Sequence, residues 1–185
     1  MKKTLIAFTV AALAAFTQTQ AFAENNNNNN FGRDNGGRQD ARFLQNAAQS
    51  AMAEVALGQL AATHAANADV KAYGQRMVTE HAADIAAVQA LAAARGITLP
   101  TTLNVLQRFE QQRLTNLYGA AFDREYIISQ IVAHELTIRL FTDEVESGND
   151  FELRFFAADR LHGLLDHLQL ATQIARTLGL QLPRD

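Results

Sequence analysis

Cysteine is absent from the chain, which excludes thiolate nucleophiles, disulfides and thiolate metal sites, so any chemistry falls to oxygen and imidazole. Serine occurs only at Ser50, Ser129 and Ser147, none in a catalytic context, and no nucleophile elbow, phosphate loop or paired glycosidase carboxylates stand out. The five histidines then carry most of the interest. Placed at about 100° intervals around helices, three of them fall where a core side chain is expected. His81 sits among Val70, Met77, Ile85 and Val88, and His134 among Ile127, Ile131, Ile138 and Phe141. His167 borders the arc of Leu164, Leu168 and Ala171, whereas His162 faces away from that arc. His64 reads as a surface or loop-packing residue. Glu54 lies in a stripe of small residues, Ala47, Ala51, Gly58 and Ala61, which leaves room for a polar centre.

One carboxylate and three imidazoles converging in an apolar bundle form a tetrahedral donor set for a single zinc, copper or iron ion. A lone carboxylate in that setting is costly, so Glu54 is expected to have a partner. The same four residues could instead form a hydrogen-bonded network that specifies packing without an ion, and both readings stay open. Depth along the helices gives a further check. Glu54 stands about 13 residues before one interhelical turn and His81 about 13 after it. His134 and His167 stand about 14 before and 18 after the other turn, a mismatch of roughly 6 Å at 1.5 Å per residue. A di-metal centre of the usual kind needs two Glu-x-x-His pairs. Here the residue three before His81 is Val78, and the residue three before His167 is Leu164. The reversed pair His81-x-x-Asp84 makes Asp84 a reserve ligand. One metal at most is expected, with little oxidase chemistry, and no substrate is indicated.

The elements that must hold these residues are all helical. The first is expected from Asp40, read as its cap, to about Ala65, and the second from Asn67 or Asp69 to about Arg95, stopped by Gly96 and Pro100. A short helix over about Leu103 to Leu117 precedes a long one over about Ala121 to Glu146. After a Ser147-Gly148-Asn149 turn, the last helix runs from about Asp150 to Leu178. No segment of this region alternates with the period of a half-buried strand. Four long helices with a long, helix-containing connection between the second and third give an all-α four-helix bundle with one crossover. Gly96-Ile97-Thr98-Leu99-Pro100 ends the first half and Gly179-Leu180-Gln181-Leu182-Pro183 the second, and the offset between them also carries Val70-Lys71 onto Leu153-Arg154. This is expected either of two similar hairpins or of shared stop chemistry alone. Phe122-Asp123-x-x-Tyr126 reads as a cap and packing corner.

Ahead of this domain, Lys2 and Lys3, an apolar run from Leu5 to Phe16 and an Ala21-Phe22-Ala23 site form a secretory signal over residues 1–23. Cleavage is expected before Glu24, placing the mature chain in the periplasm or outside the cell. The apolar run is shorter than the roughly 20 residues needed to cross a bilayer. Residues 24–39, with Asn25 to Asn30 in succession, are expected to form a disordered tether. Losing two lysines with the leader leaves 14 basic residues against 19 acidic, taking the net charge from −3 to −5. That balance argues against nucleic acid as a partner. The partner class left open is a second copy or an envelope protein.

Residues 43 to about 178 resemble the DUF4142 family, exported bacterial proteins of unknown function often labelled predicted outer-membrane proteins and grouped with ferritin-like folds. The resemblance is carried by Ala53-Glu54-Val55-Ala56-Leu57-Gly58, Val70-Lys71-Ala72-Tyr73, Met77-Val78-Thr79-Glu80-His81, Gly96-Ile97-Thr98-Leu99-Pro100, Phe122-Asp123-Arg124-Glu125-Tyr126, His134 and His167-Leu168. It implies a ferritin-like bundle over residues 40–185 and draws attention to Glu54, His81, His134 and His167. One departure is Ala133, where the family often has an acidic residue before the histidine, with Glu135 following instead. The outer-membrane label finds no support in barrel strands or a lipid-bearing cysteine. Residues and resemblance together give an exported bundle that binds one transition metal in sensing, storage or envelope protection, a role for a binding protein more than for an enzyme. The alternative is an envelope stress or interaction protein with a metal-free polar core.

Overall fold

The computed structural model describes residues 34–181, and every regular element among them is helical. Helix α1 spans Asp34–His64, α2 Ala68–Ala93, α3 Val105–Thr115, α4 Gly119–Ser147 and α5 Phe151–Thr177. Helices α1 and α2 form one hairpin, α4 and α5 a second, and the connection through α3 joins them. The hairpins meet through α1 against α4 and α2 against α5, while α3 lies on α1 and α4. Gln45 and Gln49 of α1 donate to the Thr98 and Thr102 carbonyls, fastening the connection to the bundle.

The turns are closed by the chemistry the sequence supplies. Asn67 accepts from the Asp69 and Val70 amides at the start of α2, and Asp150 does the same for Glu152 and Leu153 at the start of α5. At the opposite ends, Gly96 and Gly179 adopt φ of 63° and 67°, a left-handed conformation that glycine adopts without steric cost. The Ile97 amide returns to the Ala92 carbonyl, and the Leu180 amide to Ala175, so each helix closes with the same motif.

Asp40 behaves differently from the cap expected of it. Helix α1 starts ahead of it, at Asp34, inside the stretch read as a tether; the rest of that stretch and the leader lie outside the described residues. Buried within α1, the Asp40 carboxylate accepts from the Asn149 and Asp150 amides of the α4–α5 turn, at 3.0 and 3.1 Å. A helix-interior aspartate is free to do this because the amides it would otherwise cap are already bonded within the helix. Gln39 reinforces the same junction by donating to Ser147 Oγ at 3.0 Å. The sequence Asn35-Gly36-Gly37 is a poor helix former, so these tertiary contacts support the first turns of α1.

Asp123 of α4 mirrors Asp40. Its carboxylate accepts from the Ala66 and Asn67 amides of the α1–α2 turn, at 3.1 and 2.9 Å. Asp40 and Asp123, Ala66 and Asn149, Asn67 and Asp150, Gly96 and Gly179 are all related by one and the same sequence offset. The sequence echo is therefore an echo of structure: two similar hairpins, each with its turn capped by an aspartate from the other.

The two apolar clusters lie toward opposite ends of the bundle. One gathers Leu57, Val70, Tyr73, Met77, Phe122, Tyr126 and Ile127, and the other Phe43, Leu44, Val88, Phe141, Leu153 and Leu164. Within the first hairpin, α1 and α2 approach so closely that only glycine fits. A Cβ at Gly58 would lie 2.6 Å from the Gly74 carbonyl oxygen, and one at Gly74 2.5 Å from Ala61 Cβ.

Candidate metal centre

Between the two clusters, α2, α4 and α5 bring His81, His134 and His167 together, with exposures of 4%, 1% and 3%. Their ring centroids form a near-equilateral triangle, 5.3 to 5.8 Å on a side. One ligand nitrogen from each ring lies within 4.8 Å of the other two. Depth alone put His134 and His167 about 6 Å apart along the axis, yet His134 Nε2 is 3.3 Å from His167 Nδ1. Helical side chains lean toward their own N-termini. His134 therefore leans away from the α4–α5 turn and His167 leans toward it, which closes the gap.

The same lean separates the other pair. Glu54 and His81 start level, but Glu54 leans away from the α1–α2 turn and His81 toward it. Glu54 is 4% exposed and lines the same small cavity as His81 and His134, yet it does not belong to the close set. Its Oε2 has no hydrogen-bond partner. Nearby, the Tyr73 and Tyr126 hydroxyls and the Gln130 amide are also buried without side-chain partners. Burial first, and then the Glu54 charge, push both phenols well above their ordinary range.

Two imidazoles have one nitrogen hydrogen-bonded to an oxygen that can only accept, and the third has one close to a carboxylate. His134 Nδ1 is 2.8 Å from the Gln130 carbonyl, His167 Nε2 is 2.6 Å from Glu80 Oε2, and His81 Nδ1 is 3.2 Å from Asp84 Oδ2. The two bonded nitrogens must carry the protons and donate, and the carboxylate favours the proton on His81 Nδ1 as well. The remaining ones, His134 Nε2, His167 Nδ1 and His81 Nε2, are then lone pairs. His81 Nε2 has no hydrogen-bond partner at all.

The contact of 3.3 Å between His134 and His167 consequently sets one lone pair against another. A proton placed between them would require a buried imidazolium or a protonated Glu80. Both are opposed. Burial lowers the His134 pKa, with Glu54 opposing in part, and lowers that of His167 to about 4, with the Glu80 bond opposing. For Glu80, burial acts upward, but hydrogen bonds from Arg76 and His167 outweigh it and hold the carboxyl below its ordinary range.

A metal ion between them would resolve the conflict. Two nitrogens bound at about 2.05 Å in a tetrahedral array stand about 3.3 Å apart, the separation found here. The carboxylates behind the rings are anchored in turn. Arg76 Nε donates to Glu80 Oε1 at 2.6 Å, and Arg160 Nε lies 3.3 Å from Asp84 Oδ1. One hydrogen-bonded Arg76–Glu80–His167 chain thus orients His167, the arrangement that fixes a ligand's tautomer at metal sites, while Asp84 stands between His81 and Arg160 at ion-pair distances.

Asp84, read from the sequence as a reserve ligand, supports His81 from behind. Glu80 escaped sequence reasoning because it lies about 100° from the stripe that carries His81, and its partner is on another helix. The Arg76-x-x-x-Glu80 pair was the available signal. His162 is 88% exposed, facing solvent as expected. His64 packs in a loop corner, stacked on Tyr118 with a centroid separation of 4.3 Å.

A family model described as a domain of unknown function, DUF4142, matches residues 13–174. The chain belongs to the DUF4142 family. No curated protein and no solved structure matches it. Membership in a family of unknown function assigns this DUF4142 protein no activity. Among the described residues no helix is long and apolar enough to cross a membrane.

Proposed function

We propose that this DUF4142 protein binds one transition-metal ion through His81 Nε2, His134 Nε2 and His167 Nδ1. The observation that carries the reading is the convergence of three buried imidazoles, two of them with the opposite nitrogen hydrogen-bonded to an oxygen acceptor and the third with it 3.2 Å from the Asp84 carboxylate. Neutral imidazole suits zinc, copper and iron, and the lack of Glu-x-x-His pairs favours a mononuclear site. The protein acts as a binding protein of the periplasm or cell exterior, in metal sensing, storage or envelope protection. The export assignment rests on the N-terminal sequence, with processing near Ala23.

The test is elemental analysis of untagged mature protein purified from the periplasm. One equivalent of zinc, copper or iron is expected, and its loss when any two of the three histidines are replaced by leucine. Unchanged stoichiometry in those variants would sink the reading. A metal-free protein, even after reconstitution, with a melting temperature indifferent to chelator would favour a structural polar core.

A further inference from the structure

Beside the histidines lies a cavity of about 20 Å³, lined by His81, His134, Glu54, Thr137 and, toward solvent, Asp84 and Arg160. That exceeds the roughly 10–15 Å³ that one water needs and leaves space for a ligand of a few atoms. Three of its lining residues carry a buried polar atom without a hydrogen-bond partner: Glu54 Oε2, His81 Nε2 and Arg160 Nε.

From this arrangement we infer that the metal keeps one open coordination position, which takes a single small anion next to Glu54. This rests on the metal reading above and specifies the ligand class of the same site. Three features carry it. The close donor set contains only three atoms, and Glu54 stands outside it, which is the pattern of an open centre and not of a closed structural one. The cavity is sized for a small ligand of a few atoms. The charge balance then sets the sign of the ligand.

Glu80 is paired with Arg76 and Asp84 with Arg160, which leaves Glu54 as the one carboxylate of the site without a cationic partner among the described ion pairs. A divalent ion on three neutral imidazoles with one such carboxylate retains a single positive charge. An anion of one to three atoms, such as hydroxide or azide, neutralises it. Its route to solvent passes the Arg160 guanidinium, 41% exposed and held 5.5 Å from the Phe156 ring centroid.

The test uses Co2+ as the metal and azide as the probe. Co2+ should bind one per chain with the intense visible bands of a low-coordinate site, and azide should shift those bands and saturate at one per cobalt. Benzoate, too large for the cavity, should leave them unchanged. Glu54→Gln removes the competing negative charge and should tighten azide binding about tenfold. Intense Co2+ bands that azide leaves untouched would refute the open position and make Glu54 the fourth ligand, with metal binding intact. Absence of any Co2+ bands would remove the metal reading itself and this inference with it.

Discussion

Glu144 provides a test of the fold that is independent of any metal. Its carboxyl is 1% exposed and faces the Asp40 carboxylate that clasps the α4–α5 turn. Also acting on it are Asp150, itself bound to Arg95, and Arg154 of α5. Burial, and then the Asp40 charge, raise Glu144 from 4.5 to about 7. A group whose pKa is raised on folding contributes fully below its unfolded pKa, and that contribution is lost as pH climbs through the folded pKa. At about 1.36 kcal/mol per pH unit the full loss is about 3 kcal/mol, of which about 1 kcal/mol has already gone at pH 5. Glu144→Gln cannot ionise. Relative to the wild type, the variant should therefore gain about 2 kcal/mol between pH 5 and pH 8. Urea unfolding of both proteins with chelator present measures this, since titrations shared by the two cancel in the difference. Parallel stability curves for wild type and variant across that range would refute the reasoning.

Three further outcomes follow from the geometry. Glu80→Gln should weaken metal binding about 10- to 100-fold by releasing the His167 tautomer, as read by competition with a chromophoric chelator; unchanged affinity would remove Glu80 from the site. Gly58→Ala should destabilise by about 1–3 kcal/mol despite alanine's better helix propensity, because its Cβ meets the Gly74 carbonyl; a rise in melting temperature would contradict that packing. Asp123→Ala should cost about 2–4 kcal/mol by leaving the Ala66 and Asn67 amides without their acceptor, and a loss below about 0.5 kcal/mol would show that water replaces it.

The histidines were legible because an imidazole inside an apolar stripe is a local signal, visible from helical spacing alone. The partners that give them meaning were not. Glu80 acts across to α5 and Asp40 across to the α4–α5 turn, and no single-helix pattern encodes a contact between elements so distant along the chain. Helix limits shifted for the same reason: docking of Gln39 and Asp40 holds turns that their own sequence disfavours. Depth counting found the right layer, but it misjudged both pairs because it located Cα atoms and ignored the lean of side chains. The repeat of the two hairpins showed as matching stops at a fixed offset, which shared stop chemistry alone would also give; the reciprocal aspartate clasps decide for two similar hairpins.

The reciprocal clasps bear on how the chain folds. Neither hairpin can complete its own turn, so half-folded forms leave two backbone amides unsatisfied, and the halves should melt in one cooperative transition. Because both clasps are made between hairpins, they close equally well when the hairpins come from different chains. A chain cut within residues 94–104 should yield fragments that remain together, and refolding at high concentration should yield dimers in which partners exchange hairpins. Such a dimer would rebuild each histidine triad from two chains, with His81 from one and His134 and His167 from the other.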